Sequence, residues 1–151
     1  MKAYSVFWMK ENVANHFYYK SDILYRFLKE YQFNSNRTDL IKQYHYITNT
    51  FPVDSLINNI VDHHQNAQIN RRDNYIEISM NGHFISLHIF EKHIKFRCEV
   101  LHEAEVLLFP ILRLFHPYLF IISNDLEDYG WISPVKNERE QKLEQVLYSC
   151  L

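Results

Sequence analysis

Apolar positions along this chain change their spacing near residues 10 and 73, and those changes predict its elements. Tyr4 to Met9 is a short, aromatic-rich run suited to a strand. From Glu11 to about Tyr18 the pattern reads as helix. Ser21-Asp22 offers a fresh N-cap for a second stretch, Ile23 to Tyr31, in which Ile23, Leu24, Phe27, Leu28 and Tyr31 share one apolar face. The pattern leaves open whether these form one bent helix or two. Asn34-Ser35-Asn36 breaks it. Thr38 to Ile47 then places Leu40, Ile41, Tyr44 and Ile47 in one stripe at helical period. Pro52 starts another helical unit, with Asp54 as its expected cap, and Val53, Leu56, Ile57, Ile60 and Val61 keep the spacing up to His63-His64.

From Asp73 the period becomes two. Ile76, Ile78 and Met80 alternate with polar residues, Asn81-Gly82 is a strong two-residue turn signal, and Ile85, Leu87 and Ile89 alternate back. Glu91-Lys92 turns the chain again into Ile94, Phe96 and Cys98. This predicts a three-stranded antiparallel meander with one buried face. Val100 to Phe115 returns to helix, with Pro110 expected to kink or divide it. Tyr118 to Ile122 is a continuous apolar run, as in an interior strand covered on both faces. An acidic loop, Asp125 to Asp128, follows and leads to Tyr129-Gly130-Trp131. The predicted order is β-α-α-α-β-β-β-α-β. It describes a single α+β domain over residues 1–136, with helices on a mostly antiparallel sheet of about five strands. Residues 137–151 are expected to form a charged C-terminal helical extension, with Leu143, Val146 and Leu147 on one side.

One residue fits none of these faces. At about 100° per residue, Tyr46 falls roughly 150° from the centre of the stripe on its own helix. A large aromatic turned from the core is either incidental or an anchor for a binding partner. Val13 and Phe17, with Gln43 one turn before Tyr46, would complete an apolar patch if the two helices lie side by side. Periodicity alone favours Val13 and Phe17 as core residues, with Tyr46 as an isolated exposed ring.

Composition narrows the function. The chain is 47% hydrophobic and 23% charged, a globular balance. It has no apolar run of the roughly 18 residues that span a bilayer, and no signal-peptide core at its start, so a cytoplasmic protein is expected. Only Gly82 and Gly130 are glycines, which excludes Gly-rich phosphate loops and with them ATP or dinucleotide chemistry. Cys98 and Cys150 are expected to stay unbridged.

Candidates for chemistry are weak. Among the nine histidines, His63-His64 diverge by about 100° on a helix. His83, His88 and His93 are expected on the outer face of the meander, with no Cys or carboxylate at metal-site spacing. No metal or cofactor is expected. Glu103 and Glu105 near a helix start are explained by the macrodipole rather than as an acid–base pair. Arg71-Arg72, Lys92, Lys95 and Arg97 suggest a basic strip with Tyr75, Phe84 and Phe90 as stacking faces, interrupted by Glu77 and Glu91. The net charge of −2 argues against that alternative, a nucleic-acid-binding domain using the outer face of the meander.

A set of ordered strings points elsewhere: Lys10-Glu11-Asn12-Val13-Ala14-Asn15-His16-Phe17, then Tyr46-Ile47-Thr48, Lys92-x-Ile94, Glu103-x-Glu105, Pro117-x-Leu119 and Tyr129-Gly130-Trp131-x-x-Pro134-Val135-Lys136. In these the chain resembles the SirA family, the sporulation inhibitors of replication of endospore-forming bacteria. The resemblance runs through nearly the whole chain except its last dozen or so residues. It implies a protein without catalytic activity that binds domain I of the replication initiator DnaA and blocks its engagement at the origin. The family's partner-binding positions fall here on Val13, Phe17, Gln43 and Tyr46, and Pro134 and Trp131 fall on a string that implies structural support. No membrane, small-molecule substrate or direct nucleic-acid contact is implied. Two positions depart from the family pattern: Val13 stands where a larger aromatic is expected, and Phe17 where a tyrosine is.

Overall fold

β1 (Lys2–Trp8) is the strand around which the chain is organised. Its residues from Ala3 to Phe7 are all buried, so neither face of the strand meets water. In the computed structural model, which describes residues 1–133, β1 pairs antiparallel on both edges, with β5 (Ile94–Cys98) and with β6 (Leu119–Ser123). Val6 stands opposite Ile94 on one side and Ile121 on the other. Pro134 and the charged segment 137–151 lie outside the described residues.

The full sheet has seven strands in the order β2-β3-β4-β5-β1-β6-β7, every pairing antiparallel. The expected meander is present as β3 (Tyr75–Met80), β4 (His83–Ile89) and β5. Asn81 and Gly82 both take positive φ, 51° and 81°, between the paired Met80 and His83. That backbone fits the two-residue turn whose twist suits a hairpin. Two strands exceed the expected five. β2 (Gln68–Arg72) is an edge strand carrying a single apolar residue, Ile69, too polar to show a period. β7 (Tyr129–Trp131) is three residues long and is held by pairing with β6 rather than by its own pattern.

Helices cover the sheet unevenly. On one face α4 (Val53–His63), α5 (Leu101–Leu107) and α6 (Phe109–Phe115) pack on the meander and on Tyr4, Val6 and Leu119 in one core. On the other, α1 (Glu11–Phe17), α2 (Ser21–Phe33) and α3 (Thr38–Ile47) enclose Phe7, Met9, Phe120 and Ile122. Burying one such phenylalanine is worth roughly 1.5–3 kcal/mol. This second core takes nothing from β2 to β5, so among the described residues no helix packs on half of that sheet face.

Several local expectations shift. The first helical region is two helices, with Tyr18 to Lys20 between them. Ser21 begins α2 instead of capping it, and Asp54 lies in the first turn of α4, where Pro52 holds the cap position; neither makes a capping bond. Both carboxylates of these turns, Asp22 and Asp54, suit a helix N-terminus as charges. Ile23 is 47% exposed, because Leu24 and Leu28 define the buried line of α2 and Phe27 and Tyr31 only flank it. Pro110 divides the long helical run: α5 stops at Leu107, and the proline sits in the first turn of α6, where a missing N–H is harmless.

Glu103 is a structural carboxylate. It is 6% exposed and accepts hydrogen bonds from the backbone N–H groups of Phe84 (2.7 Å), Glu99 (3.0 Å) and Val100 (3.3 Å). Those bonds, led by the one from Phe84, hold its pKa below the usual carboxylate range. Its partner in sequence, Glu105, points outward and pairs with Arg113 at 2.9 Å, so the two never form an acid–base couple. Glu103→Ala is expected to destabilise the fold by at least about 2 kcal/mol in urea titration, since buried donors lose a charged acceptor.

His64 closes the same side. Its Nε2 bonds the Leu107 carbonyl, and burial lowers its pKa despite that bond. Burial likewise lowers His93 and His116. A base whose folded pKa lies below its unfolded value leaves stability complete above the unfolded pKa, near 6.5, and loses it as pH falls toward the folded pKa. The urea midpoint is therefore expected to be flat from pH 8 to about 7 and to fall by pH 5.5. A His64→Gln variant should show a smaller fall over that window than the parent.

Candidate functional site

Two tyrosines two residues apart on α3 meet opposite fates. Tyr44 is 2% exposed. Its ring stacks on Tyr31 at 4.1 Å and meets Phe7 edge-on at 5.9 Å, and its hydroxyl donates to the Lys92 carbonyl at 2.8 Å. Burial pushes its pKa far up, so it stays a neutral donor. Tyr46 is 69% exposed, as the phase of the helix requires.

The surroundings of Tyr46 are tightly built. The Met9 N–H donates to Tyr118, the Lys10 N–H to Ile47, and the Asn49 N–H to Trp8 at 2.7 Å. These bonds, with the Met9–Thr48 bridge, fasten the end of α3 to the entrance of α1. Lys10 is thereby placed with its Nζ 4.8 Å from the centroid of the Tyr46 ring. Such a contact is worth about 0.5–1 kcal/mol at an exposed site and holds the ring without hiding it. Lys92 donates to the Thr48 carbonyl at 3.1 Å, and burial, then the charge of Lys10, lowers its pKa. The edge of the patch is therefore cationic. Sequence reasoning missed Lys10 and Lys92 as site residues; the only signal was that both belong to the strings shared with the family.

The other expected positions divide. Gln43 is exposed on α3, one turn before Tyr46. Phe17, at the far end of α1, is half-buried: it packs against the second core while its ring meets His16 edge-on at 4.7 Å. Val13 is 8% exposed and belongs to that core, so it offers a partner little surface. Here the core reading of Val13 wins, because α1 must bury one face to lie on the sheet at all. Trp131 on β7 meets Phe120 at 5.0 Å and stacks near Tyr18 at 5.9 Å, which is packing.

The remaining chemistry disperses. Among the described residues no three His, Cys, Asp or Glu side chains converge as metal ligands. His83 sits against His102 on the α5 side, 5.7 Å away, while His88 lies on the uncovered half of the sheet and His93 beside Phe90. The three do not line up as the alternation of the meander suggested. Cys98 is buried, its thiol pushed up to about 11 chiefly by burial, and is unreactive. Among the described residues no helix is long and apolar enough to cross a membrane.

The arrangement defines a single α+β domain whose candidate site is the exposed ring of Tyr46 with Lys10 beside it and Gln43 exposed one turn away, while Phe17 is half-buried at the far end of α1. A family model described as sporulation inhibitor of replication protein SirA matches residues 2–136, and the chain belongs to that family. The sporulation inhibitor of replication protein SirA of Bacillus subtilis (strain 168) is 26% identical over 147 residues, which cover 88% of this chain and 94% of that protein.

The contrast between the tyrosines is measurable. Tyr44→Ala is expected to cost about 3–5 kcal/mol of stability, and Tyr46→Ala to change it by less than about 0.5 kcal/mol, in parallel urea titrations.

Proposed function

We propose that this protein restrains the initiation of chromosome replication during sporulation by binding domain I of DnaA, without catalysis. Membership of the SirA family supplies the process. The observation that supports this surface is Tyr46, an exposed ring on a helix fixed beside α1, at the position that the resemblance in sequence implies for partner binding. Tyr46 and the exposed edge of Phe17 act as aromatic anchors in a shallow apolar groove of the partner. Gln43 satisfies a polar group at the margin, and Val13 acts from beneath by fixing how α1 lies.

The departures from the family pattern have a defined effect. Without a larger ring at Val13, the patch loses area. Without a hydroxyl at Phe17, it loses one polar handle, so more of the binding rests on Tyr46. Lys10 adds a charge that favours a partner acidic beside its groove, a contribution that acts on association rate as much as on affinity. Inhibition is then occupancy: a partner surface covered by this domain cannot serve another contact at the origin.

Truncating an interface anchor costs about 2 kcal/mol or more, and two such losses weaken binding roughly 10³-fold. Isothermal titration against purified DnaA domain I from the same host is expected to show that loss for the Phe17→Ala, Tyr46→Ala double variant. A folded double variant that binds as tightly as the parent would rule out this surface.

A further inference from the structure

The half of the sheet face on which none of the described helices packs carries a second, chemically different surface. Cross-strand pairing sets it in two rows. Arg72 stands opposite Tyr75, Tyr75 opposite His88, and His88 opposite Lys95; beside them Asn70, Glu77, Ser86 and Arg97 follow in the same way. All eight project from the face that α1 to α3 leave open, since they alternate with Ile76, Leu87 and Phe96 of the first core. Between the rows lie two shallow concavities of about 340 and 400 Å³.

Its charge has one sign with one exception. Arg72, Lys95 and Arg97 take part in none of the ion pairs among the described residues. Among the described residues Glu77 is the one carboxylate lining either concavity, and the Tyr75 hydroxyl donates to it at 2.6 Å. The expected basic strip is thus narrower than its sequence suggested. Arg71 turns to the opposite face, 3.4 Å from Asn58 on α4, and Lys92 is tied to Thr48.

Rings lie among the cations. Tyr75 and His88 are 4.9 Å apart, His88 and Phe90 5.2 Å, and Phe90 is 37% exposed. Adjacent strands are about 4.8 Å apart, so Arg72 and Lys95 are separated by roughly 14 Å. Unneutralised cations across that width, with rings between them on a flat surface, match a backbone of phosphates whose bases are free to stack. An acidic peptide would use the charges and leave the rings idle. A duplex hides its base faces, so Tyr75 and Phe90 would have no base to stack on.

We propose that this face of β2 to β5 binds single-stranded DNA, through Arg72, Lys95 and Arg97 to phosphates and through Tyr75 and Phe90 to bases. The site is independent of the Tyr46 patch.

The test is fluorescence anisotropy of the full chain with a labelled oligothymidine of about twenty nucleotides, titrated over salt. The expected result is binding at low salt with a slope of log K on log salt near −2, from about −0.7 for each of three phosphates. Lys95→Gln with Arg97→Gln should weaken binding at least about tenfold and flatten the slope to near −0.7. Phe90→Leu should weaken it about fivefold or more with the slope unchanged, as loss of one stacked base predicts. Tyr46→Ala should leave both quantities as they are. Absence of a complex at low salt would overturn the proposal. So would tighter binding of the matching duplex or single-stranded RNA, or an equal loss on Lys20→Gln with Lys42→Gln, which lie on the α1 to α3 side.

Discussion

Everything in this domain depends on β1 being paired on both edges and covered on both faces. An antiparallel strand in that position has no tolerance for register error, because a slip by one residue exchanges the faces on which Val6 and Phe7 lie. The two cores would then trade residues of different size and neither would close. Correct register also fixes where the strand ends. Met9 and Lys10 leave β1 already bonded to Tyr118 and Ile47, so α1 starts and α3 stops at set points on the sheet. The patch at Tyr46 is a consequence of that closure.

Rigidity and availability are divided between neighbouring residues. Tyr44 anchors α3 through its ring and through the Lys92 carbonyl, while Thr48 donates back to Tyr44 at 2.7 Å and terminates the helix. Tyr46 contributes nothing comparable to the core. A docking ring that bears no part of the fold can change with its partner without endangering the domain. A residue such as Val13 cannot, because its side chain is what seats α1. A change of side-chain size at Val13 would therefore alter the height or tilt of α1 as well as the exposed area.

The legible parts of the fold were those whose signal is local. Asn81-Gly82 between alternating strands, Pro110 within an apolar helix, and the off-phase ring of Tyr46 each follow from backbone geometry or helical pitch, which neighbours in sequence settle. β2 was invisible because an edge strand facing water on most of its length has no apolar period; its place comes from pairing Ile69 with Ile78. β7 was invisible for the same kind of reason, being shorter than one period of any pattern. Ile23 was misplaced because it stands beside Leu24 in sequence, and the choice of buried line on α2 is made by the sheet beneath it. Glu103 was read as a helix charge when its main task is to receive the Phe84 N–H from a strand nineteen residues earlier. No local pattern carries that information. At the candidate site helical phase placed Tyr46 on the surface, yet burial of Val13 depended on which face of α1 joined the core of Met9 and Phe7.

The uneven distribution of helices explains how so small a chain presents two unlike surfaces. Three helices on one face suffice for the central strand and its β6 neighbour, and the opposite helices alone supply a core for the meander. The open strands can therefore be polar without loss, provided their inward residues are apolar, and that is the alternation seen in β3 and β4. The β4–β5 turn borders both surfaces: Lys92 carries the carbonyl that fixes Tyr44, and Phe90 stacks on His93 at 4.7 Å at the rim of the open face. Yet the two surfaces answer to different variables. On the two proposals, contact through the Tyr46 ring rests mainly on shape with a salt-dependent share from Lys10, whereas phosphate contacts on the open face would weaken steeply as salt rises. The two proposals therefore place two kinds of recognition on one sheet and separate them by physical chemistry.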